Sequence, residues 1–197
     1  MSIPRLTELL ENGIEEDTGA VKIIDHAHHE AHEGSRFYVH YSVASLGAMT
    51  SPDDMITLTF KTPDTAKWSH FLFTASGSSG FRARLIEAPT GGAESATGTL
   101  TILNENRNYQ ISKPSAMSNG TTAGVVNYDA TLATGGTTLW DDYIMGSTSG
   151  QTGSGTSGTR DENILKQNTT YQLSIYGTAT EPASLHIDFY EHTNKDV

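Results

Sequence analysis

The chain has 197 residues, no cysteine, and 12 Lys and Arg against 23 Asp and Glu, for a formal net charge of −11. That length suits one main domain, and the absence of thiols excludes disulfides and thiolate metal sites. The acidic balance repels a phosphate backbone, so no nucleic acid is expected as a partner, and no stretch approaches the roughly 20 apolar residues of a membrane-spanning helix.

Residues 4–12 form the only predicted helix. Pro4 suits a first helical position, Leu6, Leu9 and Leu10 fall at helical spacing, and Asn12-Gly13 supplies a stop. The segment is too short to be stable alone, so its apolar side needs a surface to cover it. An acidic linker follows, and residues 1–24 are expected to be an arm separate from the domain at 25–197. Glu8 and Glu11 break up any apolar core, so this start is not expected to be a secretory signal.

Strand patterns begin at Arg36. Phe37, Val39, Tyr41 and Val43 alternate with polar residues, as do Ile56, Leu58 and Phe60, and then Phe81, Ala83 and Leu85. Residues 68–75 are apolar on both faces, and 99–103 predict one more short strand. The apolar signal thins over 113–160, and Gly146–Gly158 is almost wholly Gly, Ser and Thr. A flexible insertion is expected there, because such a tract cannot offset its ordering entropy. Residues 171–176 and 184–190 predict a closing antiparallel hairpin. The fold class expected is all-β: an antiparallel β-sandwich, with a jelly roll as one candidate topology, behind a short N-terminal helix or arm.

Four of the eight histidines, His26, His28, His29 and His32, fall within seven residues. The spacing fails the zinc-protease pattern by one residue, although His28 and His32 could chelate on a helix. A structural role is the expectation, with no metal and no cofactor. No serine nucleophile elbow and no phosphate loop is present, so the chain is not expected to be an enzyme and no catalytic residue is assigned. Trp140, Asp141, Asp142 and Tyr143 combine rings with carboxylates, which suits a glycan contact. Arg82 and Arg84 share one strand face, with Arg36 and Arg107 as further cations.

Two pieces carry a resemblance. The first, Ile24 to Phe37, contains His28-His29-Glu30-Ala31-His32-Glu33-Gly34-Ser35-Arg36-Phe37; the second, Asp161 to Tyr171, contains ILKQNTTY and is followed by Leu185 to His192, which contains IDFYEH. They are similar to the H-H-E-x-H-x-G-x-x-[FY], ILK-x-N-T-x-Y and D-[WF]-Y-E-H motifs of head-associated structural proteins of tailed phages. The resemblance implies no catalytic residues. It implies a capsid decoration protein that binds the outer surface of the head and stabilises it. The expected partners are the major capsid protein and further copies of this chain, at the capsid surface of the virion after synthesis in the host cytoplasm. Leu6, Leu9, Leu10, His26, His28, His29 and His32 are the expected contacts. The alternative is a head fibre or appendage module that binds host-surface glycan through Trp140 to Tyr143.

Overall fold

The computed structural model describes residues 26–43, 56–64, 67–77, 80–91, 96–144, 153–156, 163–177 and 182–193. Helix α1 (His26–Glu33) leads into β1 (Arg36–Val43), β2 (Ile56–Lys61), β3 (Lys67–Gly77) and β4 (Phe81–Thr90). Three short strands follow, β5 (Gly98–Thr101), β6 (Leu103–Asn104) and β7 (Val125–Tyr128). The chain then forms β8 (Gly135–Ile144), β9 (Gly153–Thr156), β10 (Asn163–Leu165), β11 (Thr170–Gly177) and β12 (Ala183–Thr193). Among the described residues no helix is long and apolar enough to cross a membrane.

The strands form two six-stranded sheets. Sheet one has the order β10-β3-β12-β1-β6, with β9 also on the free side of β3; sheet two has the order β5-β7-β2-β11-β4-β8. Every pairing is antiparallel. Strands β1 to β4 alternate between the sheets, and the chain pairs with itself from the ends inward: β1 with β12, β2 with β11, β3 with β9 and β10, β4 with β8. This rolled long hairpin is the jelly-roll topology. β5, β6 and β7 are additions to its edges.

Period-two alternation builds the core. In β12 the residues Ala183, Leu185, Ile187 and Phe189 are buried, while those between them are half-exposed. In β3 the inward residues are Ser69, Phe71, Phe73 and Ala75. Facing them are Ile56, Leu58 and Phe60 of β2 and Tyr171, Leu173 and Ile175 of β11. Phe60 stacks between Phe71, 5.2 Å away, and Tyr171, 5.8 Å away. These rings tie one sheet to the other.

Three expectations change. The hairpin over 171–190 does not form: β11 lies between β2 and β4 in sheet two, and β12 lies between β1 and β3 in sheet one. Alternation says which residues face inward, but a sandwich offers two sheets for them to face from. The single strand over 99–103 is two strands in different sheets, β5 and β6, with buried Ile102 at the crossing. The described parts of the insertion expected around 113–160 contribute β7, β8 and β9 to the sheets, and residues 145–152 and 157–160 of it lie outside the described residues. Val126 is fully buried, and Trp140 packs edge-on against Phe73 at 5.0 Å. Gly153–Thr156 joins β3 through main-chain bonds, which need no apolar side chain.

The segment between β6 and β7 closes one end of the sandwich. Met117 is fully buried there, and Ser118 exchanges main-chain bonds with Lys61 of sheet two. On the sheet-one side the fully buried carboxylate of Glu191 accepts from the Ser115 hydroxyl at 2.7 Å and from the Ala116 and Met117 amides at 3.0 Å.

Candidate functional site

Helix α1 is built from helix-compatible Ala, Glu and His, and stops at Gly34, whose φ of +73° is left-handed. The Gly34 amide bonds Ala31 O and the Ser35 amide bonds Glu30 O, a Schellman stop. A Cβ at Gly34 would lie 2.5 Å from the Tyr109 ring, so glycine also permits that close approach. Carbonyls at the helix end receive side chains from β6 and the end-closing segment. Asn106 Nδ2 donates to His32 O, Lys113 Nζ to Glu33 O, and fully buried Asn104 to Gly34 O. The Glu191 amide donates to Ser35 O. The His-rich segment and the last strand, which bracket the chain, therefore meet at one end of the sandwich.

The outer face of sheet one continues from this end. Arg36, Tyr38 and His40 of β1 point outward, as do His186, Asp188, Tyr190 and His192 of β12 and Trp68 and His70 of β3. The register sets them in rows: Trp68 with His192, His70 with Tyr190 and Arg36, Tyr38 with Asp188, His40 with His186. The rings touch within a row and between neighbouring rows. His70 stacks on Tyr190 at 4.4 Å, and its Nε2 lies 2.6 Å from His192 Nε2. Tyr38 stacks on His186 at 5.9 Å. Ile164 pairs with His70 from β10 and is 53% exposed, while Trp68 is 36% exposed. All eight histidines of the chain thus belong either to α1 or to this face.

An ion network crosses the middle. Arg36 Nε is 3.2 Å from Glu105, Arg36 Nη2 is 3.8 Å from Asp188, and His186 Nε2 is 3.0 Å from Asp188. The Asp188 hydrogen bond raises the His186 imidazole above its ordinary 6.5. Burial pushes Asp188 upward, but His186 and Arg36 outweigh it and the carboxyl is lowered below 3.8. Burial, with Asp188 beside it, raises Glu105 above 4.5 despite Arg36. Because His186 is raised, its contribution to stability is complete below about pH 6.5 and is lost as pH climbs through the folded value. Asp188 contributes above about pH 3.8 and fades as pH falls through its lower folded value. The melting-temperature gap between the protein and a His186→Gln variant is therefore expected to be largest near pH 5–6 and to narrow by pH 8. A gap that widens toward pH 8 would contradict this pairing. The side chains are partly open to solvent, so the effect is small.

The sequence-predicted contacts divide. Leu6, Leu9 and Leu10 lie outside the described residues. His26, His28, His29 and His32 occupy α1, a helix rather than an extended lead-in, and the side chains of His26 and His28 are outside the description. Donor atoms of His29, Glu30 and Glu33 all lie within 4.8 Å of one another. One imidazole with two carboxylates suits a hard or borderline divalent cation. His29 and Glu33 also pair directly at 3.5 Å, one helical turn apart.

The four glycan candidates do not share a face. Trp140 opposes Leu85 and packs inward, Asp142 opposes inward Ala83, and Asp141 and Tyr143 point to the outer face of sheet two. Sequence reasoning missed Glu105 and Asn104; Asp188 and Glu191 entered it only within the IDFYEH motif, without their partners. Gly34 after a run of Ala, Glu and His was an available signal for α1, whereas nothing local marks Glu105 or Asn104, whose partners Arg36 and Gly34 lie far back along the chain.

No protein-family model matches the chain, and no curated protein or solved structure matches it.

Proposed function

We propose that the protein is a tailed-phage capsid decoration protein that docks on the outer surface of the head through the outer face of sheet one and the adjoining helix α1. The observation that carries this reading is the composition of that face. Trp68, Ile164, Tyr38, Tyr190 and four histidines lie on one side of a rigid sheet. Aromatic side chains and arginine are the residues that protein interfaces favour, because they bury large area at low entropic cost. The Arg36–Asp188–Glu105 network supplies paired polar groups beside them. The jelly roll suits the role, since it builds viral capsid domains as well as lectins. The motif resemblance of α1, β10 and β12 to head-associated proteins points the same way.

Docking needs shape and area and no reactive group. Each contact is weak, but copies on a symmetric shell act together and hold adjacent capsid subunits against internal DNA pressure. The partner is the major capsid protein, and the location is the virion surface. The test is co-sedimentation with undecorated shells of its own phage. The Trp68→Ser/Ile164→Ser double variant is expected to bind at least tenfold more weakly, with unchanged circular dichroism. Equal binding by the variant would move the docking site elsewhere, and no binding by the unaltered protein would end the reading.

A further inference from the structure

The outer face of sheet two, opposite the docking face, carries a different arrangement. Three strands place Tyr176, Arg82 and Tyr143 in one row, and Ser174, Arg84 and Asp141 in the next. Arg82 forms a two-point bond with Asp141 through Nε and Nη2. Its guanidinium lies 5.2 Å from the Tyr143 ring centre and 5.7 Å from that of Tyr176. Arg82 is thus held by a carboxylate and in turn holds two rings. Tyr143 remains 69% exposed.

Arg84 is held differently. Its Nη2 donates to Ala133 O at 2.9 Å, its guanidinium lies 5.8 Å from Tyr176, and its Nε is buried without a hydrogen-bond partner. No ion pair joins it to a described carboxylate. Arg82 is neutralised by Asp141, so Arg84 leaves this patch positive on a chain of net charge −11. A guanidinium has five N–H donors, and this one has capacity to spare.

We propose that this row binds an acidic sugar, the pyranose ring lying on the open side of Tyr143 and the carboxylate received by Arg84. A fixed aromatic ring offers a flat apolar platform for the C–H face of a pyranose, and it is already ordered, so little entropy is lost on binding. Arginine matches a carboxylate in two-point geometry better than lysine does. Asp141 keeps Arg82 under the ring and leaves Arg84 to select for charge. The assignment keeps Tyr143 and Asp141 from the glycan set expected from sequence, removes Trp140 and Asp142, and adds Arg82, Arg84 and Tyr176. It is independent of shell docking, because the two surfaces are opposite faces of the sandwich.

The experiment uses the isolated full chain and ligand-observed saturation-transfer NMR. The probes are N-acetylneuraminic, glucuronic and galacturonic acids, with glucose and galactose as neutral controls. At least one acid should bind saturably and at least tenfold more tightly than the neutral sugars. Tyr143→Ala and Arg84→Met should each weaken that binding at least tenfold, and Tyr143→Phe should retain it. Tyr143 is exposed, so its variants report on binding even if Arg84→Met disturbs the fold. Absence of acid preference, or binding that survives Tyr143→Ala, overturns the proposal. Because no shells are present, either result leaves the docking reading to its own test.

Discussion

Replacing Glu191 by alanine is expected to destabilise the protein by about 3 kcal/mol. The carboxylate is fully buried and accepts from the Ser115 hydroxyl and the Ala116 and Met117 amides. Removing it strands these donors in a place water does not reach, and each stranded donor costs roughly 1 kcal/mol or more. The neighbouring Lys67, 3.7 Å away, adds little because its side chain is 43% exposed. For a chain of this size the loss corresponds to a fall in melting temperature of about 6–12 °C. Glu191→Gln retains a carbonyl oxygen for three of the bonds and should lose less than half as much. Urea denaturation measures the energies, and hydrogen exchange should rise first at Ser115–Gly124. A loss below about 1 kcal/mol for the alanine variant would show that Met117 and Lys61 hold the end-closing segment without help.

Replacing Gln172 is expected to have a comparable effect, on the other outer face. Gln172 is fully buried although it points away from the core. Residues 129–134 cross over it on their way from β7 to β8. Its oxygen accepts from the Ala133 amide at 2.8 Å, and its nitrogen donates to Thr131 O at 2.9 Å and Thr59 Oγ1 at 3.3 Å. One side chain thereby satisfies three groups of the crossing and of β2. Gln172→Leu keeps the volume and removes the bonds, so about 2 kcal/mol is expected; Gln172→Ala adds a cavity and should reach about 3 kcal/mol. If the two variants are equally stable, packing contributes nothing and hydrogen bonding carries the whole effect. Both variants remove the acceptor of the Ala133 amide, so its exchange should quicken in both.

Much of the sandwich was legible in the sequence because alternation is local. Phe37 and Val39, or Leu58 and Phe60, announce an inward face by themselves. The order of strands was not legible, since β11 and β12 look the same whether they pair with each other or with β2 and β1. The middle of the chain misled for a related reason. β8 has mostly exposed residues because it is an edge strand, and β9 has small ones, so neither shows the apolar rhythm of a central strand. Among candidate contacts, the histidines of α1 stood out through clustering. The four histidines of sheet one did not, because His40, His70, His186 and His192 are drawn together by register across three strands. Arg84 and Tyr176 were invisible as neighbours of Tyr143 for the same reason.

The end-to-end pairing of strands also constrains how the chain comes into being. β1 has β12 as its long neighbour, with eight residue pairs, and meets β6 through only two. β2 likewise waits for β11. A nascent chain leaving the ribosome therefore carries its first strands for more than a hundred residues with their main partners not yet made, which at about 5–20 residues per second is many seconds of exposure. Local pieces such as α1 with its Gly34 stop can form early, but the core cannot close until the last strand has emerged. A product that stops before Ala183 lacks the strand that joins β1 to β3 and leaves one edge of each unpaired along its length.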